Sequence, residues 1–380
     1  MDTLPITLCA MATTASDQRK VRDLAERWPD KVVPAFGETL TPQFHHFVTR
    51  AHISIHPVAQ AITLGSHIPS PSPLHPQRKT ITALSGSPHR HPNPLKMHYP
   101  VCYPPSPHRT SSPDLLSDLR ANLSALPNAM LGEVGIDRAA RVPFPSAPSP
   151  SPSQPCCSQA EPPNTDTELE SYPRRELSPF ITPLAHQLAI LEAEIAIAVE
   201  LRRNISIHTV KAPQPTRELL DRMSNIHGHA WRRISVDLHS CGLSPQIWVE
   251  IEKRHPNVFL SLSTAINSRS PNHRALIAVC APSRLLAESD YCNVRHCTQR
   301  TWDMVRIVAE VKGWRVEHNW SDEYEVERET DESAWGVVRR LEENWRSFVK
   351  GGHKPVAVKS SRKGKWDDWG NNESESGGEA

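Results

Sequence analysis

The sequence predicts an α/β fold in which a parallel sheet, covered by helices, stops one unit short of a closed (β/α)8 barrel. Three observations carry this. Apolar, β-branched runs alternate with helical patterns over most of the chain, the order that lays crossover helices on a parallel sheet. Each run is nearly continuous in apolar residues, as strands covered on both faces are. Seven strand-first units can be counted in the 380 residues, where eight would close a barrel.

The elements follow in order. "ITLCAMATT" (6–14) reads as a strand and precedes a helical pattern over about 16–28; "KVVPAFG" (31–37) is a second strand. A helix is predicted over 113–126, with Ser112 as N-cap and Pro113 at the first helical position, where its missing N–H costs nothing. "AMLGEVGI" (129–136) is the next strand. A helix over about 183–201 then buries Leu184, Leu188, Leu191, Ile195 and Val199, which recur at three- and four-residue steps. Strand "NISIHTV" (204–210), a helix over about 216–226 and strand "RISVDLHS" (233–240) come next. A helix after Ser244-Pro245, strand "VFLSLST" (258–264), a helix after Ser270-Pro271, strand "RLLAESD" (284–290) and a helix over about 298–312 complete the series.

Two stretches break the rhythm. Residues 38–112 are rich in Pro, His and Ser, as in "IPSPSPLHPQ", and 146–178 contains "SAPSPSPSQPCCSQAEPPNTD". Neither shows a sustained period, and the 36 prolines are gathered unevenly, so both stretches are expected to be loops or disorder. The chain divides accordingly. Residues 1–37 start the barrel and 38–112 form a low-complexity insertion. Residues 113–320 hold the rest of the barrel, interrupted by the 146–178 loop, and 321–380 hold a helical segment with a disordered polar tail.

Charge and cysteine content narrow the function classes. With 43 basic and 42 acidic residues the net charge is +1, so no global field draws the chain to nucleic acid or to an anionic membrane; a polyanion has to be gripped locally. The eight cysteines show no CxxC pair, which suits a reduced intracellular protein without a structural zinc knuckle. No eighteen-residue apolar run and no basic-then-apolar leader occurs, so no membrane association is expected and the location is cytoplasmic and/or nuclear.

Four polar side chains stand at or near the carboxyl ends of predicted strands: Glu133, His208, His239 and Asp290. In a (β/α)8 barrel these ends converge on one mouth, where reacting groups collect. Each has an ordinary reading as well. His208 fits a hydrogen-bonded core histidine, His239 a loop cap, and Asp290 a helix cap or a partner for Arg284. Glu133 is the hardest to explain that way. It sits between Gly132 and Val134-Gly135 in an apolar run, and a buried lone carboxylate is costly unless a cation compensates it. Together the four form a donor set suited to Zn, Mn or Mg.

These residues also carry a family pattern. "GEVGID" is similar to the GE(I/V)G(L/I)D signature of TatD-family metal-dependent deoxyribonucleases. "ISIH" resembles that family's strand ending in histidine, "LHS" followed by Gly242 its His-Ser/Cys-x-x-Gly strand end, and "LLAESDY" its Leu-Leu-x-Glu-(Thr/Ser)-Asp element. The wording from "NAMLGEVGID" to "NISIH" is closest to a fungal branch whose members are described as interactors of an anaphase-promoting complex subunit. The resemblance implies a TIM barrel and a hydrolase that cleaves DNA phosphodiesters with one or two divalent cations (Mg, Mn or Zn). It further implies that Glu133 bridges two metals, that His208 and His239 hold one of them, and that Asp290 binds the other and orients the attacking water.

Compared with that pattern, no strand ending in His-x-His is present, and "ITLCAMATT" resembles the family's second strand. The barrel is therefore expected to lack its first strand. The family's His-Pro pair after the third strand is replaced by Glu38-Thr39-Leu40; His56-Pro57 lies further along. Three functional readings follow: a phosphodiesterase on DNA, with Lys211 and Arg138 as candidate phosphate contacts; a catalytically impaired scaffold that binds a protein of the mitotic ubiquitin-ligase machinery, to which the acidic "SDEYEVERETDESAW" lends weight; and a C–N-cleaving amidohydrolase, which "GEVGID" disfavours.

Overall fold

A computed structural model of the chain describes residues 7–13, 15–37, 48–50, 112–143, 177–291, 293–317 and 332–355. One eight-stranded sheet organises them. Its strands are β1 (Leu8–Met11), β2 (Val32–Phe36), β3 (Val48–Arg50), β4 (Met130–Asp137), β7 (Ile205–Val210), β8 (Val236–Leu238), β9 (Val258–Ser263) and β10 (Leu285–Glu288), in the order β10-β9-β8-β7-β4-β2-β1-β3. All neighbours are parallel except β1 and β3, which run antiparallel. Two short strands, β5 (Arg141–Pro143) and β6 (Leu177–Ile181), form a separate antiparallel ribbon beyond the end of β4.

Helices cover the outside of the sheet and, in the case of the last, one end of it. They are α1 (Ala15–Arg27), α2 (Ser112–Ala125), α3 (Leu184–Leu201), α4 (Pro213–His227), α5 (Pro245–Arg254), the short α6 (Thr264–Asn267) and α7 (His273–Val279), α8 (Val294–Lys312) and α9 (Val337–Lys350). The local chemistry explains their ends. At α5 the Ser244 hydroxyl accepts from the Ile247 N–H and Pro245 takes the first helical position; α8 stops at Gly313, whose φ of +66° suits a residue without Cβ. Leu191, Ile195 and Val199 of α3 are buried, as their spacing predicts, while Leu184 and Leu188 pack at the margin of the core.

The sheet curls, and side-chain packing shows it. Outward residues such as Leu8, Ala10, Ile205, Ile207, Val236, Leu238, Leu260 and Leu262 join the helices in one core. A second cluster gathers Cys9 and Met11 of β1, Ala35 of β2, Met130 of β4, Phe259 of β9 and Leu286 of β10. Strands from opposite ends of the sheet can share such a cluster only if the sheet wraps round on itself. Trp345 and Phe348 of α9 complete this inner cluster, so the last described helix plugs the barrel at the amino ends of its strands. Side chains there fasten it. Asn204 Nδ2 donates to the carbonyls of Phe348 and Val349, Ser235 Oγ to that of Phe348, and Asn344 Nδ2 to those of Pro282 and Leu285.

Three features differ from the sequence reading. A strand, β3, lies inside the 38–112 segment read as lacking structure, and it lies against β1 on the edge where a preceding parallel strand was missing. The two ends of the sheet, β3 and β10, are not paired with each other; α8 packs on β9 and β10 and also reaches β3. The β5–β6 ribbon was not foreseen, and β6 begins within the 146–178 loop. The remainder of both Pro-rich stretches, His56-Pro57 and most of the acidic 321–335 stretch lie outside the described residues. Cys9, Cys241, Cys280 and Cys297 are buried and form no disulfide. Among the described residues no helix is long and apolar enough to cross a membrane.

Candidate metal centre

Strand β4 turns Glu133 into the barrel by an irregularity of register. Leu131, Val134 and Ile136 all face the outer core, although Leu131 and Val134 are an odd number of residues apart. The switch in parity falls where the pairing of β4 with β7 slips between Leu131 and Val134. Such a bulge re-aims side chains, and here it brings the intervening Glu133 to the inside. Gly135 permits the close approach of the two strands: a Cβ there would lie 2.0 Å from the His208 carbonyl oxygen.

His208 and His239 reach the same point from β7 and the end of β8. Glu133 Oε1 is 3.0 Å from His208 Nδ1 and 3.3 Å from His239 Nε2, and the two ring nitrogens are 3.0 Å apart. Glu133 and His239 are 1% exposed and His208 8%. Among the described residues these three alone form a group with ligand spacing. The separations match the edges, about 3.0–3.4 Å, of a polyhedron of N and O ligands set ~2.1 Å from an ion. One carboxylate and two imidazoles are also the donor types that divalent Zn, Mn and Mg accept. The residues present therefore fit a divalent cation.

Asp290, the fourth expected residue, lies beside this trio rather than in it. Its Oδ2 is 2.7 Å from Ser240 Oγ, and Ser240 directly follows His239. The Ser240 hydroxyl is also 3.0 Å from Glu288 Oε1 and 2.8 Å from Ser263 Oγ, and its backbone N–H donates to Glu288 at 2.6 Å. Asn267 braces the turn by donating to the carbonyls of Ser240 and Cys241. Lys211, Ser240 and Asp290 have left-handed φ of 51°, 42° and 45°, at the ends of β7, β8 and β10. Non-glycine residues persist there only where the surroundings hold them, and such positions gather at functional sites. Asp290 does not pair with Arg284, which donates instead to the carbonyls of His255 and Pro256.

Sequence reading missed the polar layer beneath the trio: Ser206, Asp237, Ser261 and Glu288, all fully buried. A signal was present, because each strand repeats a polar residue at a two-residue step: Ser206 and His208, Asp237 and His239, Ser261 and Ser263, Glu288 and Asp290. Cys241, next in the same loop, is not a thiolate: burial pushes its thiol up to about 12, the Asp237 charge adding to the effect. Lys211 and Arg138 are exposed at the rim, brought together by the Arg138 N–H donating to the Val210 carbonyl.

A parallel, curled α/β sheet with carboxylate and imidazole donors at its carboxyl ends is an α/β barrel architecture with its polar groups where barrel enzymes gather reacting residues. The chain belongs to the TatD family: the family model described as TatD related DNase matches residues 5–330. It is similar to the Cut9-interacting protein scn1 of Schizosaccharomyces pombe, with 23% identity over 334 residues covering 82% of this chain and 87% of that protein. It is also similar to the crystal structure of YJJV, a TatD homologue from Escherichia coli, with 13% identity, a TM-score of 0.44, and 90% and 85% of the two chains covered.

Proposed function

We propose that this chain is an intracellular hydrolase that cleaves phosphodiester bonds of DNA with one or two divalent cations. The observation that carries the reading is the meeting of Glu133, His208 and His239 at one buried point, within a chain of the TatD family. A cation held by these three residues would lower the pKa of a bound water and screen phosphate charge. The rest falls to the protein. Glu133 would offset the cation's charge, and the imidazoles of His208 and His239 would fix its position. Asp290, held at the rim by Ser240, orients the attacking water and takes its proton. Lys211 and Arg138 at the rim draw the substrate's phosphates toward the mouth.

The test uses the full chain, stripped with chelator and given Mg2+ or Mn2+, acting on a single-stranded oligonucleotide beside a Glu133→Gln variant. Cleavage that needs the cation and falls at least about 100-fold in the variant is expected. Equal rates in both proteins, or none in either, would remove the enzyme reading.

A second reading is favoured by one finding, the name of the yeast relative as a Cut9-interacting protein. In that case the barrel serves as a scaffold for a protein of the anaphase-promoting complex. Co-purification with a Cut9 counterpart that is unchanged in Glu133→Gln, together with no cleavage by the wild type, is the outcome that reading expects.

A further inference from the structure

We infer that Asp237 and Ser206 form a hydrogen-bond relay that fixes His239 as its Nδ1–H tautomer and so presents the Nε2 lone pair to the centre of the trio. The inference deepens the metal-centre reading and rests on it only where metal affinity is concerned. Ser206 Oγ lies 2.9 Å from His239 Nδ1 and 3.2 Å from Asp237 Oδ2. All three side chains are at most 1% exposed. Ser206 and Asp237 are register partners on β7 and β8, each two residues before its strand's histidine. The sheet therefore stacks a serine–aspartate layer directly under the histidine layer.

Donor counting sets the direction. A serine hydroxyl has one hydrogen, and an ionised carboxylate only accepts. If Ser206 gives its hydrogen to Asp237, its oxygen accepts from His239, whose proton must sit on Nδ1. In the opposite arrangement Ser206 donates to Nδ1 and turns a lone pair on the Asp237 carboxylate, leaving two acceptors face to face in a buried place. The first arrangement turns the Nε2 lone pair to the centre of the trio, where it accepts from His208 Nδ1–H at 3.0 Å and could accept a cation in that proton's place. Ser206 and Asp237 are thus positioning residues: they touch neither substrate nor cation and act through His239.

Long-range 1H–15N spectra of the 15N-labelled, chelator-treated full chain read the tautomer directly, with the His239 ring assigned by its loss in His239→Gln. A protonated Nδ1 and an unprotonated Nε2 are expected in the wild type and in Ser206→Thr, which keeps the hydroxyl. Ser206→Ala should mix the tautomers. Asp237→Asn, whose amide can donate to Ser206, should reverse them. In a second arm, Co2+ titrated into each protein and followed by its absorption should bind about 10–100-fold more weakly to Ser206→Ala, with Ser206→Thr restored. A wild-type ring carrying its proton on Nε2, or a tautomer unchanged in Ser206→Ala, overturns the relay. The wild-type spectrum decides the matter even if a variant fails to fold. No Co2+ binding by a wild type with the expected tautomer removes the metal centre and upholds the relay.

Discussion

Phe348 of α9 meets Phe259 of β9 edge-on inside the barrel, with ring centroids 5.4 Å apart and planes at 89°. Trp345 stacks on Phe348, also at 5.4 Å. Phe348 is fully buried, so it fills the barrel together with the inward side chains of the strands. Phe348→Ala is expected to cost about 3–5 kcal/mol. Urea denaturation checks this, and a loss under about 1 kcal/mol would mean that the helix rests on the barrel without filling it.

Gly135 is the second test of packing. A methyl group there would meet the His208 carbonyl oxygen at 2.0 Å, and backbone cannot yield as a side chain does. Gly135→Ala should therefore part β4 from β7 and cost about 3 kcal/mol. Because the same shift displaces His208 from Glu133, affinity for divalent cations should fall with stability, which calorimetric titration follows.

Ser240 separates strain from bonding. Its hydroxyl has one hydrogen for two carboxylates in reach, Glu288 and Asp290, and such a bond to a charged group contributes roughly 1.5–3 kcal/mol. Its φ of 42° is left-handed. Ser240→Ala loses the bonds and keeps the strain, whereas Ser240→Gly loses the bonds and relieves the strain, worth about 1 kcal/mol. The glycine variant should melt above the alanine variant. The reverse order would show that the turn is not strained.

A pH dependence follows from His353, whose Nε2 lies 2.7 Å from Ser235 Oγ at the plugged end. Burial first, then the nearby Arg284 charge, lowers its pKa from 6.5 to about 4. Between these values the unfolded chain binds a proton that the folded chain does not, so stability is lost as the pH falls from 6.5 toward 4. The loss should be about 1–2 kcal/mol after allowing for the part of the ring that faces water. Thermal midpoints across this window should slope less in His353→Gln than in the wild type; parallel slopes would exclude His353 as the cause.

Much of this architecture was legible because strands buried on both faces and amphipathic helices leave strong local patterns. Leu191, Ile195 and Val199, and the runs around His208 and His239, are of that kind. Glu133, His208 and His239 could be singled out because a polar residue in an apolar run asks for compensation. What stayed hidden depends on partners far along the chain. Glu133 faces inward only because pairing with β7 slips at Leu131–Val134, and nothing local specifies the slip. Helix α9 reads as an ordinary amphipathic helix; that Trp345 and Phe348 fill a barrel follows from where Asn204 and Ser235 hold it. Strand β3 has three residues, too few for any period to show.

The plug at the amino ends of the strands makes the barrel a blind well. Among the described residues Trp345 and Phe348 fill the amino-end side, so Glu133, His208 and His239 are approached from the carboxyl ends of the strands. What enters therefore first meets the residues that follow the strands, among them Arg138, Lys211 and Asp290.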